Sequence, residues 1–108
     1  FNVLKAYTCY DNKVGYVQGM NYLAALLLIE IKDELKVFWC IFTLLFKRNW
    51  RMVYDVNTPK LMNILSLIND RLLKDDPQLL THFKEQDISL GAAFSPIFIT
   101  LFVYQVPL

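Results

Sequence analysis

The sequence is poor in the residues from which most self-contained chemistry is built. It holds one histidine, His82, and two cysteines, Cys9 and Cys40, which stand 31 residues apart. Neither a zinc-ligand spacing nor a disulfide framework can be assembled from that set, and reduced thiols in a cytosolic protein are the default reading. His82 has no Cys, Asp or second His at ligand spacing, so it reads as a surface or packing histidine rather than a metal ligand. Charge of one sign is missing as well: 11 basic and 10 acidic side chains are interspersed, for a net charge of +1. Without a run of Lys and Arg to track phosphates, nucleic acid is not an expected partner. No basic, apolar and small-residue succession opens the chain, so no signal peptide is visible. Sustained period-2 alternation, repeats, low-complexity tracts and linkers are absent too, which argues against strands and for one structural unit.

What the sequence has in excess is apolar surface. The hydrophobic share is 56%, above the roughly 45–50% of an average soluble domain. Its 8 Phe, 6 Tyr and 2 Trp make the chain 15% aromatic. At 108 residues it is at most one modest domain, or part of one, since domains usually run to about 100–150 residues. So small a chain cannot hide all of that surface, and it is expected to pack against more protein. Ser89 to Leu108 carries no charge and would be long enough to cross a hydrocarbon layer of about 30 Å. Gly91, Ser95 and Pro96 near its start and Pro107 at its end interrupt it. A buried core helix is therefore expected there rather than a membrane span.

Turn and cap signals mark out an all-α chain, a multi-helix array of six segments. "FNVLKAYTCY" puts Val3, Leu4, Tyr7 and Tyr10 at helical spacing and stops at a turn made from Asp11, Asn12 and Gly15. A second helix runs from Gln18 or Met20 to Ile31. It is apolar nearly all round from Leu23 to Ile29, hence expected to be buried, with Glu30 and Lys32 marking its exit from the core. Asp33 is the N-cap of a third, Glu34 to Asn49, with Glu34 in its first turn and Lys47 and Arg48 in its last, as the helix dipole favours. Thr58 caps a fourth with Pro59 at the first helical position, and Leu61, Ile64, Leu65, Ile68 and Leu72 share one face. Asp76 and Pro77 repeat that logic for a short fifth helix, "PQLLTHFKEQ", and the sixth covers Ala92 to Tyr104. Asp75 and Asp76 are adjacent and point in different directions, which suits capping and not acid–base chemistry.

The stretch that asks for a functional reading is "VGYVQGMNYLAALLL". Gly15 and Gly19 bracket Tyr16, Val17 and Gln18 where a turn runs into the apolar second helix. Glycines there let the backbone bend tightly or let another surface approach closely. Two readings stay open on the residues alone. In one, Gln18 caps the helix and Tyr16 fills a gap; in the other, the Gln18 amide is held to act on something outside the protein.

"AYTCYDNKVGYVQGMNYLAALLL" resembles the signature of the TBC domain, the helical module of GTPase-activating proteins for Rab-type small GTPases, with its Tyr-x-Gln-Gly-Met-Asn followed by a small-residue and Leu-rich helix. The match is close over residues 3 to 28. It continues loosely through Phe38 and Trp39, which fit the family's Phe-Trp after an acidic helix start, through Leu79 to Phe83, and through "FITLFVYQVPL". The resemblance implies an all-α array forming part of a larger TBC-type helical domain. It also implies a glutamine finger at Gln18 that orients the attacking water on a γ-phosphate, supported by Tyr16, Gly19, Met20 and Asn21. Phosphoryl transfer asks chiefly for positioning and charge stabilisation, and an amide can both accept from water and donate to a phosphate oxygen. The implied partner is a Rab-family small GTPase that brings its own GTP and Mg²⁺, so no cofactor of this chain is implied. The implied location is cytoplasmic, with peripheral recruitment to endomembranes through the partner.

One part of the family pattern is missing. Its second finger is an arginine in an Ile-x-x-Asp-x-x-Arg motif before the glutamine; 17 residues precede Gln18 here and none is arginine. Around Arg71, Ile68 and Asp70 have the wrong spacing and lie downstream, and "RNWR" is not the family's Arg-x-x-x-Trp element. A chain that begins with Phe1 inside a helix is expected to be a fragment whose arginine lies upstream. The alternatives are a catalytically silent GTPase-binding or scaffold module of the same family, and a membrane-associated helical protein whose last segment inserts.

Overall fold

The computed structural model describes residues 1–106; Pro107, which the sequence places at the end of the uncharged stretch, and Leu108 lie outside them. Among the described residues there are six α-helices and no strand: α1 (Asn2–Tyr10), α2 (Met20–Ile31), α3 (Glu34–Phe42), α4 (Pro59–Asp75), α5 (Pro77–Glu85) and α6 (Leu90–Ile99). A π-helical turn, Thr43–Lys47, and a 3₁₀ segment, Trp50–Val53, lie between α3 and α4. The all-α expectation is met. The three-helix layer of α1, α2 and α3 encloses the main core, built from Val3 and Tyr7, Met20, Leu23 and Ala24, Val37 and Ile41, with Leu45 and Tyr54 joining from beyond α3. The remaining layer packs α4 against α5, α6 and the 3₁₀ segment.

Capping decides where several of these helices start. The Asp33 carboxylate accepts from the backbone N–H groups of Leu35 and Lys36 at 3.0 and 3.2 Å, which satisfies two of the four donors a helix start leaves orphaned. Asp76 does the same for Leu79 at 3.0 Å, while Asp75 pairs with Arg71 on the surface. The two carboxylates are thus separately occupied. Thr58 corrects the sequence reading: it stands at the N-cap position of α4 but in the left-handed region, φ 42°, and its side chain caps nothing. Pro59 supplies the fixed φ that starts α4 in its place. Leu61 is buried and Ile64, Leu65, Ile68 and Leu72 are half-buried, so the expected apolar face of α4 is the packed one.

Three further expectations change. The third helix does not run on to Asn49. After Phe42 the backbone widens into the π turn, with the Arg48 N–H bonding the Thr43 carbonyl at 2.9 Å, and Asn49 in the left-handed conformation, φ 58°, stops it. Leu45 is fully buried inside that turn, whereas Phe42 and Phe46 stack outside it at 5.3 Å. The second helix buries Met20, Leu23 and Ala24 only, and Ile29 is 58% exposed, because α1 and α3 cover one of its sides. The last segment begins earlier than Ala92: Ser89 caps α6 at the Ala92 N–H, and Leu101 and Phe102, both at positive φ, turn the chain after Ile99. No residue of α6 is fully buried, so it is a half-covered helix and not a buried core helix. Its ten residues reach about 15 Å at about 1.5 Å each. No helix among the described residues is long and apolar enough to cross a membrane.

With a radius of gyration of 16.0 Å and extents of 47 × 30 × 20 Å, the chain is more drawn out than the roughly 13 Å expected of a compact unit this size. The elongation leaves apolar side chains such as Leu35, Trp39, Leu67 and Leu73 more than half exposed. That agrees with the expectation from composition.

Candidate functional site

The loop between α1 and α2 is shaped by its two glycines and by one buried acid. Asp11 closes α1 by donating its N–H to the Tyr7 carbonyl at 2.8 Å, and its own carbonyl accepts the Gly15 N–H at 3.1 Å. This is the turn expected from Asp11, Asn12 and Gly15, with Gly15 at φ 69°. The Asp11 side chain was not foreseen to matter, yet it is 3% exposed. Its carboxylate accepts the Tyr7 hydroxyl at 2.9 Å and Arg51 Nη1 at 2.8 Å, and the Arg51 guanidinium lies 4.7 Å over the Phe46 ring. Burial, followed by the bond to Asp11, pushes the Tyr7 phenol well above its ordinary range, so it stays a donor.

From Gly15 the chain runs irregularly to Gly19, with Val14 and Val17 packed on the core and Tyr16 and Gln18 turned outward. Gly19 is buried at φ 112°. A Cβ built there would overlap Cγ2 of Ile99 and stand 3.1 Å from the Ile99 carbonyl oxygen, so glycine is required both by conformation and by space. Its N–H donates to Asn21 Oδ1 at 3.1 Å, and the Val17 carbonyl accepts the Met20 N–H at 3.2 Å. Met20, 1% exposed, anchors the loop from beneath. The N-cap of α2 is Gly19, without a side-chain cap bond. Gln18 therefore does not cap the helix, and among the described residues its exposed amide makes no hydrogen bond to the chain.

Two clefts flank this loop. Gln18 and Gly19 border one of about 370 Å³ whose far wall is Pro96, Ile99 and Thr100, with Tyr22 and Tyr104 meeting edge to face at 5.4 Å. Tyr16 and Asn21 border the other, about 470 Å³, against Phe1, Leu4, Lys5 and Thr8 of α1. The five residues singled out in the sequence are thus divided: Gln18 and Gly19 face one cleft, Tyr16 and Asn21 the other, and Met20 belongs to the core. The close approach that Gly19 permits is to α6 of the same chain.

None of the three arginines lines the cleft that Gln18 borders. Arg51 is committed to Asp11, Arg71 pairs with Asp75, and Arg48 is exposed at the end of the π turn. Sequence reading missed the roles of four residues that shape the site. Tyr7 and Asp11 stand four apart, a helical spacing that brings side chains together, and so were within reach; Arg51 and Tyr54 are far along the chain and carry no local signal. The Tyr54 hydroxyl donates to the Ile99 carbonyl at 2.6 Å, and burial pushes its pKa up to about 12. Among the described residues no group of His, Cys, Asp or Glu is placed to hold a metal ion, and both cysteines are exposed free thiols.

The Rab-GTPase-TBC domain family model matches residues 1–108. The chain is 38% identical over 110 residues to the GTPase-activating protein GYP5 of Eremothecium gossypii, 35% over 109 residues to TBC1 domain family member 4 of Mus musculus, and 31% over 112 residues to the Rab GTPase-activating protein eat-17 of Caenorhabditis elegans. Each match takes in the whole chain, which spans 13%, 8% and 12% of these relatives. No solved structure matches the chain. With a family model that fits from first residue to last, this chain belongs to the Rab-GTPase-TBC domain family.

Proposed function

We propose that the protein containing this segment is a GTPase-activating protein for a Rab-type small GTPase, and that Gln18 is the finger this segment supplies. The observation that carries the reading is the state of Gln18: an exposed amide with no hydrogen bond to its own chain among the described residues, on a loop whose two ends are fixed by Asp11 and Gly19. An amide without an internal partner is free to accept from an attacking water and to donate to a phosphate oxygen of a bound nucleotide. Holding the loop in place beforehand reduces the ordering needed at the moment of reaction. Gly19, Met20 and Asn21 serve as its support, through the seat on α6, the anchor in the core and the Asn21 bond to Gly19, while Tyr16 borders the neighbouring cleft. GTP and Mg²⁺ arrive on the GTPase. Two of the relatives bear names that say GTPase-activating protein, one of them Rab GTPase-activating protein.

The second finger, an arginine, is assigned to a part of the protein outside these residues. Such a group is worth about 10³–10⁵ in rate, so these 108 residues by themselves are expected to accelerate hydrolysis barely. The test is single-turnover GTP hydrolysis by a panel of Rab GTPases with the intact protein. Acceleration with at least one member supports the proposal. A panel bound but never accelerated would favour a silent GTPase-binding module instead.

A further inference from the structure

The loop that presents Gln18 is held at both ends by one short stretch that lies far from it in sequence. Before the loop, Arg51 bonds the buried Asp11 carboxylate, and the Asp11 backbone closes the turn onto Gly15. After the loop, Gly19 is seated on the backbone of Ile99, whose carbonyl oxygen and carbon lie 3.1 and 3.6 Å from where a Cβ would stand. That same carbonyl accepts the Tyr54 hydroxyl at 2.6 Å. Arg51 and Tyr54 are one turn apart, with the Tyr54 N–H bonded to the Arg51 carbonyl at 2.9 Å.

We infer that the turn Arg51–Tyr54 is a bracket for the Gln18 loop, with Arg51 and Tyr54 as positioning residues that set where the glutamine amide sits; the inference rests on the proposed role of Gln18. Ile99 ends α6, where carbonyls lose their partners within the helix. The Tyr54 hydroxyl supplies one and so fixes the tilt of the surface on which Gly19 rests. A phenylalanine ring would fill the same buried space without holding that carbonyl. Arg51 fixes the opposite end through Asp11, and the short backbone link between the two residues keeps both ends in one frame. Neither residue lines the cleft that Gln18 borders, so each acts through the loop and not on the nucleotide.

Four forms of the intact protein decide the matter in single-turnover GTP hydrolysis with a responsive Rab GTPase: wild type, Tyr54→Phe, Gln18→Ala and the double variant. Misplacing a reacting group by about 1 Å is worth up to roughly a hundredfold in rate, so Tyr54→Phe is expected to lower the maximal rate by about tenfold or more while the half-saturating GTPase concentration holds within about twofold. The double variant is expected to be no slower than Gln18→Ala, since a bracket has nothing left to position. Arg51→Lys, which keeps the charge, should follow Tyr54→Phe. A wild-type rate for Tyr54→Phe would overturn the bracket, and so would an equal fold-loss in the Gln18→Ala background, which is what general loss of folded protein produces. An unchanged rate in Gln18→Ala alone would remove the glutamine reading itself, and is visible without reference to Tyr54.

Discussion

Replacing Gly19 by alanine tests the seat of the loop with a single methyl group. Two penalties combine. The backbone at φ 112°, ψ −30° lies where L-residues are rarely found, a strain of about 1–3 kcal/mol. The new Cβ would overlap Ile99 Cγ2 and press on its carbonyl, and Ile99 is packed against the core. Relief therefore requires α6 to back away or Ile99 to change rotamer, an overpacking cost of about 1–3 kcal/mol. Together these amount to about 2–6 kcal/mol. Gly15 is the internal control: it has φ 69° and nothing within 4 Å of its Cβ position, so alanine there meets only the left-handed penalty of about 1–2 kcal/mol. Native-state hydrogen exchange of peptides covering Met20–Ile31 in the intact protein reads the difference, because local opening free energies appear as protection. Gly19→Ala should exchange about fivefold or more faster than Gly15→Ala, the equivalent of the roughly 1 kcal/mol at the low end of the overpacking cost. Equal exchange in the two variants would refute the claim that α6 is the seat of the loop.

Other expectations follow from the same contacts. Arg51→Ala leaves the Asp11 carboxylate, 3% exposed, with the Tyr7 hydroxyl as its remaining side-chain partner, and is expected to destabilise by about 3–5 kcal/mol; a loss below about 1 kcal/mol in thermal unfolding of the intact protein would show the pair to be idle. Ultraviolet titration of wild type minus Tyr54→Phe should show a phenol ionising near 12 instead of its ordinary 10. Since the folded value is the higher one, the stability Tyr54 contributes is intact below pH 10 and lost as pH rises from 10 toward 12. Asp33→Ala removes two accepted N–H bonds and should cost about 1 kcal/mol. Thr58→Gly removes no cap and relieves a β-branched residue at φ 42°, so urea unfolding should show it neutral or stabilising; a loss as large as that of Asp33→Ala would contradict the observed capping.

The existence of six helices was legible because each carries local signals: Asp33 and Asp76 as caps, Pro59 and Pro77 at first positions, and the periodic face from Leu61 to Leu72. Their limits were less so. The π turn after Phe42 has no local punctuation before Asn49, and the uncharged run from Ser89 hides a turn at Leu101 and Phe102 that no glycine marks. For Thr58 the sequence type suggested a cap, whereas the backbone adopted a conformation in which its hydroxyl does not reach the helix. The Gln18 loop divides in the same way. Its two glycines and the exposed glutamine could be picked out from the sequence. What fixes them could not, because Arg51 meets Asp11 across 40 residues and Tyr54 meets Ile99 across 45, and tertiary partners at such separation leave no trace in periodicity. The burial of α2 and α6 was overestimated because hydrophobicity reports what a helix needs to cover and not what covers it.

The proposed role of Gln18 is tested most directly by single-turnover GTP hydrolysis on a responsive Rab GTPase, with intact wild-type protein beside Gln18→Ala. Losing one positioned hydrogen-bonding group in a preorganised site lowers rates by about 10²–10³, and a fall of about a hundredfold or more is the expected result, with binding to the GTPase retained. Equal acceleration by the two proteins would contradict it and would make the exposed amide of Gln18 a bystander to the chemistry.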